Sequence, residues 1–396
     1  MTRLLSKKWS RIFILIFSLL LLIAIFIFLV VNRLCPSNSH TSNLTFTNSS
    51  WIEVPVAING NSTFGLFDTG ANICVVDAES IDKYNVIELP LIPVRVNNKE
   101  WSSMLVIRKL IIGDFCFKNV PAISLNLKNN NTRLSCIDSD IIIGTPIIRQ
   151  LAWDFNFESS KLTIRKSQKK QQQPDSALTL QLNNFRLPET KIRVNDRLHN
   201  VLVDLGQTSS VLLSVEKLDS TKYLKINSSN NADVFGSYYY EQYENIADVI
   251  LGNDTIENIK ITHTIKSNIP SLIGLGFFKN FSQISINPFK KQISLHKQRT
   301  SSRLSKFYGY GFSFTLRNGT VTVDGIAESS PAQKVGMQFG DTILSINGNK
   351  IDSTWAKLGF CNFLNQRDSI LNTDSVQLAL KKDSDIHIIA LAKEYY

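Results

Sequence analysis

Two aspartates stand in the same sequence setting, 136 residues apart. Asp68 closes the apolar run Phe64-Gly65-Leu66-Phe67 and precedes Thr69-Gly70-Ala71; Asp204 closes Asn200-Val201-Leu202-Val203 and precedes Leu205-Gly206-Gln207. An acid at the end of an apolar strand is held in a fixed, poorly solvated place. A glycine two residues on lets backbone N–H groups come close to it. Two such carboxylates brought within a few ångströms cannot both ionise cheaply, so they share one proton. One can then take a proton from an attacking water while the other protonates or hydrogen-bonds a peptide carbonyl oxygen. That chemistry needs no metal, no cofactor and no covalent intermediate. A lone Asp-Thr-Gly is ordinarily just a turn whose carboxylate accepts local N–H groups; recurrence of the whole setting argues otherwise here.

The elements around the two acids recur as well. The offset of 136 is shared by Asn59 and Asn195, Asp68 and Asp204, and Gly70 and Gly206. Val56-Ala-Ile-Asn-Gly and Ile192-Arg-Val-Asn-Asp each read as a hairpin turning at an asparagine and leading into the acid-bearing strand. Downstream, Leu110-Ile-Ile-Gly-Asp matches Val249-Ile-Leu-Gly-Asn, and Ile141-Ile-Ile-Gly-Thr-Pro matches Ser271-Leu-Ile-Gly-Leu-Gly. The strand–turn–strand piece from Trp153 matches the one from Ile284. Motif order is kept throughout, which predicts a mainly β chain with two duplicated lobes.

Phe67-Asp68-Thr69-Gly70-Ala71 followed by Ile142-Ile143-Gly144 resembles the retropepsin-like aspartic proteases, in the two-lobed arrangement of the pepsin-like branch, over roughly residues 50–298. The resemblance implies that Asp68 and Asp204 are catalytic, that Thr69 bonds across to the other lobe's loop, and that Ala71 is the small residue beside the carboxylate. The second loop departs from the pattern. Leu205 stands where a hydroxyl is expected and Gln207 where a small residue is expected, with Thr208 or Ser209 as substitute hydroxyls. Three readings follow: a working Asp68/Asp204 pair, an impaired second half, or a homodimer using Asp68 twice. Such enzymes close a hairpin flap over substrate; the candidates are Val94–Met104 with Trp101, and Phe235-Gly-Ser-Tyr-Tyr-Tyr with Tyr238.

Near the C-terminus, Gly309-Tyr310-Gly311-Phe312, Ser330-Pro-Ala, Gly336-Met337, and Gly340-Asp-Thr-Ile-Leu-Ser-Ile-Asn347-Gly348 resemble a PDZ domain of the kind attached to bacterial extracytoplasmic proteases. The resemblance implies a loop at Gly309–Phe312 that presents N–H groups to a peptide's terminal carboxylate, beside an edge strand that accepts the peptide. Ser330 with Pro331 starts a short helix, and Asn347-Gly348 is a hairpin turn.

The 396 residues, 43% hydrophobic, suit two or three domains. The net charge of +10 is scattered over the first residues and two linker-like runs and is not interleaved with stacking aromatics, which argues against nucleic acid as a partner. Ile12–Val31 is about twenty apolar residues, Ser18 apart, behind a basic N-terminus, the pattern of an uncleaved single-pass anchor, with a cleaved signal peptide as the rival reading. The expected division is a basic tail and transmembrane helix (1–35), a polar spacer (36–50), lobe 1 (51–166), a linker (167–177), lobe 2 (178–298), and a linker with the PDZ domain (299–396). Everything past residue 35 is then extracytoplasmic, periplasmic in a bacterium. The partners are the lipid bilayer, a peptide or protein substrate, and a PDZ ligand. Five cysteines leave two readings open, a Cys116–Cys136 bridge or buried thiols. No Gly-x-Ser-x-Gly elbow is present, and none of the five histidines has an evident serine partner. A protease-like scaffold acting only through the PDZ domain is the other functional reading.

Overall fold

The computed structural model describes residues 17, 33–35, 39–48, 51–96, 100–128, 136–166, 174–219, 223–233, 236–252, 254–265, 270–298, 307–317, 320–351, 359–382 and 385–396. Apart from Phe17, the apolar run 12–31 lies outside these residues, as does most of the 167–177 stretch. Among the described residues, no helix is long and apolar enough to cross a membrane.

The described chain is mainly β. The first unit runs β1 (Thr41–Thr45), β2 (Ile52–Ile58), β3 (Asn61–Phe67), β4 (Cys74–Asp77), β5 (Ile87–Val96), β6 (Glu100–Ile112), β7 (Phe115–Leu125), β8 (Ser139–Ile143), α1 (Thr145–Ile148), β9 (Ala152–Asn156) and β10 (Lys161–Arg165). The second runs β11 (Ser176–Thr179), β12 (Pro188–Val194), β13 (Arg197–Asp204), β14 (Val211–Val215), β15 (Leu224–Asp233), β16 (Gly236–Leu251), β17 (Asp254–Ile265), β18 (Leu272–Gly274), α2 (Leu275–Phe278), β19 (Phe281–Asn287) and β20 (Gln292–Gln298).

The duplication read from sequence is repeated in topology. The β2–β3 turn has φ of 50° at Asn59 and 99° at Gly60, and the β12–β13 turn has 47° at Asn195 and 63° at Asp196. Positive φ at both central residues is what a two-residue hairpin turn requires, and asparagine, aspartate and glycine tolerate it best. The apolar strand after each glycine motif then lies parallel to the acid-bearing strand: β8 beside β3, with Ile143 opposite Phe67, and β18 beside β13, with Gly274 opposite Asp204. Parallel strands buried on both faces read as continuous apolar runs, which is why Ile141-Ile-Ile and Leu272-Ile are unbroken. The closing hairpins pair across the units, β9 with β19, in a six-stranded sheet ordered β11-β20-β19-β9-β10-β1. Trp153 and Phe155 on β9 are fully buried and pack their rings edge-on against Phe67, 5.1 and 4.9 Å away between centroids. The residue that leads into Asp68 is thereby clamped from below; burying a side chain of that size contributes about 2–3 kcal/mol.

The C-terminal segment adds β21 (Tyr308–Gly309), β22 (Phe312–Arg317), β23 (Thr320–Ala327), α3 (Pro331–Lys334), β24 (Thr342–Ile346), α4 (Gly359–Leu371), β25 (Ser375–Lys382), β26 (Asp385–Ala392) and β27 (Glu394–Tyr395) around its own apolar core. Ser330 caps α3 by accepting from the Gln333 N–H, with Pro331 in the first turn. Asn347 and Gly348 have φ of 51° and 78°, the expected tight turn.

Three expectations are corrected. Residues 36–50 are not merely a spacer: Thr41–Thr45 pairs with β10, and Phe46 is buried against Phe155 and Phe157. The 167–177 linker ends early, because Ser176 and Ala177 already pair with β20. Cys116 does not bridge to Cys136. It bonds Cys35, while Cys136 bonds Cys361, and Cys74 is the buried free thiol. The reason is strand register: Arg33–Leu34 pairs antiparallel to β7 and sets Cys35 opposite Cys116, whereas Cys136 lies beyond the far end of β7, a strand roughly 30 Å long.

Candidate functional site

Asp68 and Asp204, the two acids singled out in the sequence, are brought together. Each ends its strand and enters a loop whose glycine lies against the other acid. A Cβ added to Gly70 would sit 2.5 Å from the Asp204 carboxyl carbon, and one added to Gly206 would meet the Asp68 carboxyl equally closely. Only glycine leaves room for that approach. The Gly70 N–H donates to Asp68 Oδ1 at 2.7 Å, and the Gly206 N–H donates to Asp204 Oδ1 at 3.0 Å. The two carboxyl groups hydrogen-bond one another. Burial raises the Asp68 carboxyl, although the bonds from Asp204 and from the Gly70, Ala71 and Gly206 backbone oppose the rise. Asp204 is raised well above the usual carboxylate range, by burial first and by the Asp68 charge second. Both carboxyls are thus pushed up, and the pair holds one proton between them.

The loops are braced unequally. Thr69 is almost fully buried; its Oγ1 donates to the Val203 carbonyl at 2.7 Å and accepts from the Leu205 N–H at 2.9 Å, both across the interface. Leu205 returns no such bond; its side chain is fully buried in the main apolar core. Gln207 turns its side chain back, and its Oε1 accepts from the Thr208 N–H at 2.8 Å. Ser209 does not replace the missing hydroxyl: its Oγ is buried without a hydrogen-bond partner in the described structure. The reciprocal brace comes from Trp51, whose Nε1–H donates to the Gly206 carbonyl at 2.8 Å. Sequence reading missed Trp51, because nothing in its neighbourhood marks it as a partner of a loop 155 residues away. Thr69→Val keeps the shape but strands the Val203 carbonyl and the Leu205 N–H. It is expected to lower the unfolding free energy by about 2–4 kcal/mol in urea titrations, with Thr69→Ser restoring most of it.

The flap candidates lie on hairpins: Trp101 on β6, opposite Arg95 of β5, and Tyr238 on β16, opposite Asn231 of β15. Two cavities, of about 490 and 430 Å³, indent the second unit, and neither is lined by an aspartate of the pair.

In the C-terminal segment, Gly309 belongs to β21, and Tyr310 is buried with its hydroxyl donating to the Thr373 carbonyl at 2.6 Å. Gly311 has φ of +74°, and a Cβ there would collide with Ser330. Phe312 and Phe314 point into the core, and Phe314 meets Phe363 of α4 at 6.0 Å. Among the described residues β22 pairs with β23 alone, which leaves its other edge open beside α4.

The fold and site thus define a mainly β protein with a paired-aspartate interface and a C-terminal peptide-binding module. Residues 309–365 match the PDZ domain family. Over 74 residues the chain is 38% identical to a candidate zinc metalloprotease of Clostridium acetobutylicum, an alignment covering 19% of this chain and 20% of that protein. Among the described residues no group of three or more His, Cys, Asp or Glu side chains is placed to hold a metal ion.

Proposed function

We propose that this chain is an aspartic endopeptidase of retropepsin-like, two-lobed architecture, anchored in a membrane through Ile12–Val31, with its catalytic lobes and PDZ domain outside the cytoplasm. The single observation that carries the reading is the close approach of the Asp68 and Asp204 carboxyls, each against the other's glycine. With one proton held between them, one carboxylate acts as base toward a water and the other as acid toward the scissile carbonyl. The hairpins β5–β6 and β15–β16 act as flaps. The PDZ match and the name of the partial relative favour a protease that carries a peptide-binding module. The two disulfides favour an oxidising compartment.

The test is hydrolysis of an unfolded protein substrate across pH 3–8 by the purified chain and by Asp68→Asn. Activity in the first and its loss, by at least about a thousandfold, in the second is the expected result. Equal activity in both would sink the assignment. One observation favours a second reading, a protease-like scaffold that acts only by binding peptides: Leu205 is committed to the core and gives the second loop no hydroxyl. Peptide binding by the PDZ domain with no Asp68-dependent cleavage would establish it.

A further inference from the structure

The PDZ domain is fixed to both catalytic units at three places. First, β15 of the second unit pairs antiparallel with β23, Ile226 opposite Ala327 and Asn227 opposite Ile326, and the Glu328 N–H donates to the Lys225 carbonyl at 2.9 Å. Second, the Cys136–Cys361 bridge ties the chain just ahead of β8 to α4, the helix beside the open edge of β22. Third, Phe307 and Tyr396 stack at 6.2 Å next to the second unit. Lys260 lies over the Phe307 ring at 5.8 Å and pairs with Glu244 at 2.8 Å. Burial, with the Glu244 charge adding, pushes the Tyr396 hydroxyl up to about 12. A module held by sheet continuity, a covalent bond and a packed aromatic pair keeps its distance from the aspartates; one on a flexible tether would not.

The directions of the strands matter as much as the anchoring. β22 and β15 are both antiparallel to β23 and so run the same way. A peptide added antiparallel to the open edge of β22 has its terminal carboxylate at the Gly309–Phe312 loop. Its upstream residues travel toward Arg317, the direction in which β15 travels toward its hairpin tip at Asp233 and Gly236. From Asn227 to that tip is roughly 20 Å at about 3.3 Å per residue, and the docked strand lies three strand spacings, about 14 Å, from β15. With β15–β16 as the flap over the aspartates, covering both takes on the order of ten to fifteen residues.

We propose that the enzyme reads free C-termini: it captures a polypeptide by its terminal carboxylate in the PDZ groove and cuts at a fixed count of residues, on the order of ten to fifteen, upstream of it. This rests on the aspartic endopeptidase reading above. The substrate class is therefore unfolded or proteolytically trimmed polypeptide ends, and the length from the end, more than the residues at the cut, selects the bond.

The test uses the full chain and a set of 30-residue peptides that share one sequence, lengthened by one to six Gly/Ser residues just ahead of a constant last four. Each is made with a free carboxylate and as a carboxamide, and cuts are mapped by mass spectrometry. The expected result is a cut that shifts along the sequence by the number of residues inserted, and at least a tenfold loss of kcat/KM on amidation. Cys136→Ser/Cys361→Ser is expected to spread the cut over several neighbouring bonds. A cut that stays at one sequence position in every peptide, or indifference to amidation, overturns the C-terminal count and leaves the endopeptidase reading standing. Absence of any cleavage that Asp68→Asn lacks overturns both.

Discussion

Asp204→Asn is expected to lose at least a thousandfold in kcat while becoming more stable than the parent at neutral pH, by about 1–3 kcal/mol. The two effects share one cause. Asp204 sits beside Asp68 where burial and the neighbouring charge hold its proton far more tightly than in the unfolded chain. A carboxyl whose folded pKa is raised weakens the fold as pH rises. Below the unfolded value, near 3.9, both states are protonated and there is no penalty. Between that value and the raised one, the unfolded state releases its proton and gains on the folded state; above the raised value the penalty is complete. The amide removes this term, so the stability gap between variant and parent should be near zero at about pH 3.5 and open as pH rises, measured by thermal unfolding across pH. Activity follows the same proton. Hydrolysis needs one proton on the pair, so the rate of the parent should fall on the alkaline side as that proton leaves. A variant that is both inactive and less stable at pH 7 would mean that burial beside Asp68 does not hold the Asp204 proton tightly.

Asp140→Ala is expected to cost the fold about 1–3 kcal/mol, read as a shift in the denaturant midpoint. Asp140 sits at the irregularity in the pairing of β8 with β3, and its side chain is 5% exposed. One oxygen accepts from Lys83 at 3.0 Å, from Thr63 at 3.0 Å and from the Tyr84 hydroxyl; the other accepts from Lys128. Burial alone would push this carboxyl up, but the bonds from Lys128, Tyr84, Lys83 and Thr63 together hold it well below the usual range. Truncation leaves the buried Tyr84 hydroxyl with no acceptor, the expensive direction of such a change, while the exposed Lys83 and partly exposed Lys128 turn to water. Its pH dependence is opposite to that of Asp204. A depressed carboxylate contributes stability fully above the unfolded value near 3.9, and that contribution disappears as pH falls toward the folded value. Acid unfolding of the parent should therefore start below about pH 4, and Asp140→Ala should flatten that acid limb. β8 leads directly into Gly144 and Thr145, whose N–H donates to the Ala71 carbonyl at 2.8 Å, so the same variant should loosen the Asp68 loop and lower kcat.

Much of this was legible in the residues. Asn59-Gly60 and Asn195-Asp196 announce hairpins because few residues tolerate positive φ, and that constraint is local. Ile141-Ile-Ile-Gly and Leu272-Ile-Gly announce buried parallel strands because both faces must be apolar. Asp68 and Asp204 stood out because an acid after such a strand is costly unless something uses it. The Ser330-Pro331 cap and the Asn347-Gly348 turn were readable for equally local reasons.

What depends on distance along the chain was not legible. Trp51 reaches the Gly206 carbonyl only after two units dock, and no local pattern encodes a donor for a loop 155 residues on. The cysteine partners follow from which strands lie side by side, so Cys116 with Cys35 and Cys136 with Cys361 had to come from the fold. The union of β15 with β23, which makes the PDZ domain part of the second unit's sheet, is likewise a matter of two edges meeting. Residue order by itself determined the turns, the buried strands, the duplication and the two acids, since each is set by steric and solvation preferences over a few neighbours. Tertiary structure alone decided that the acids face each other, that Thr69 and Trp51 brace them unequally, and that the peptide-binding module is locked in place. Those depend on long-range packing, in which each contact is stable only because the others hold it there.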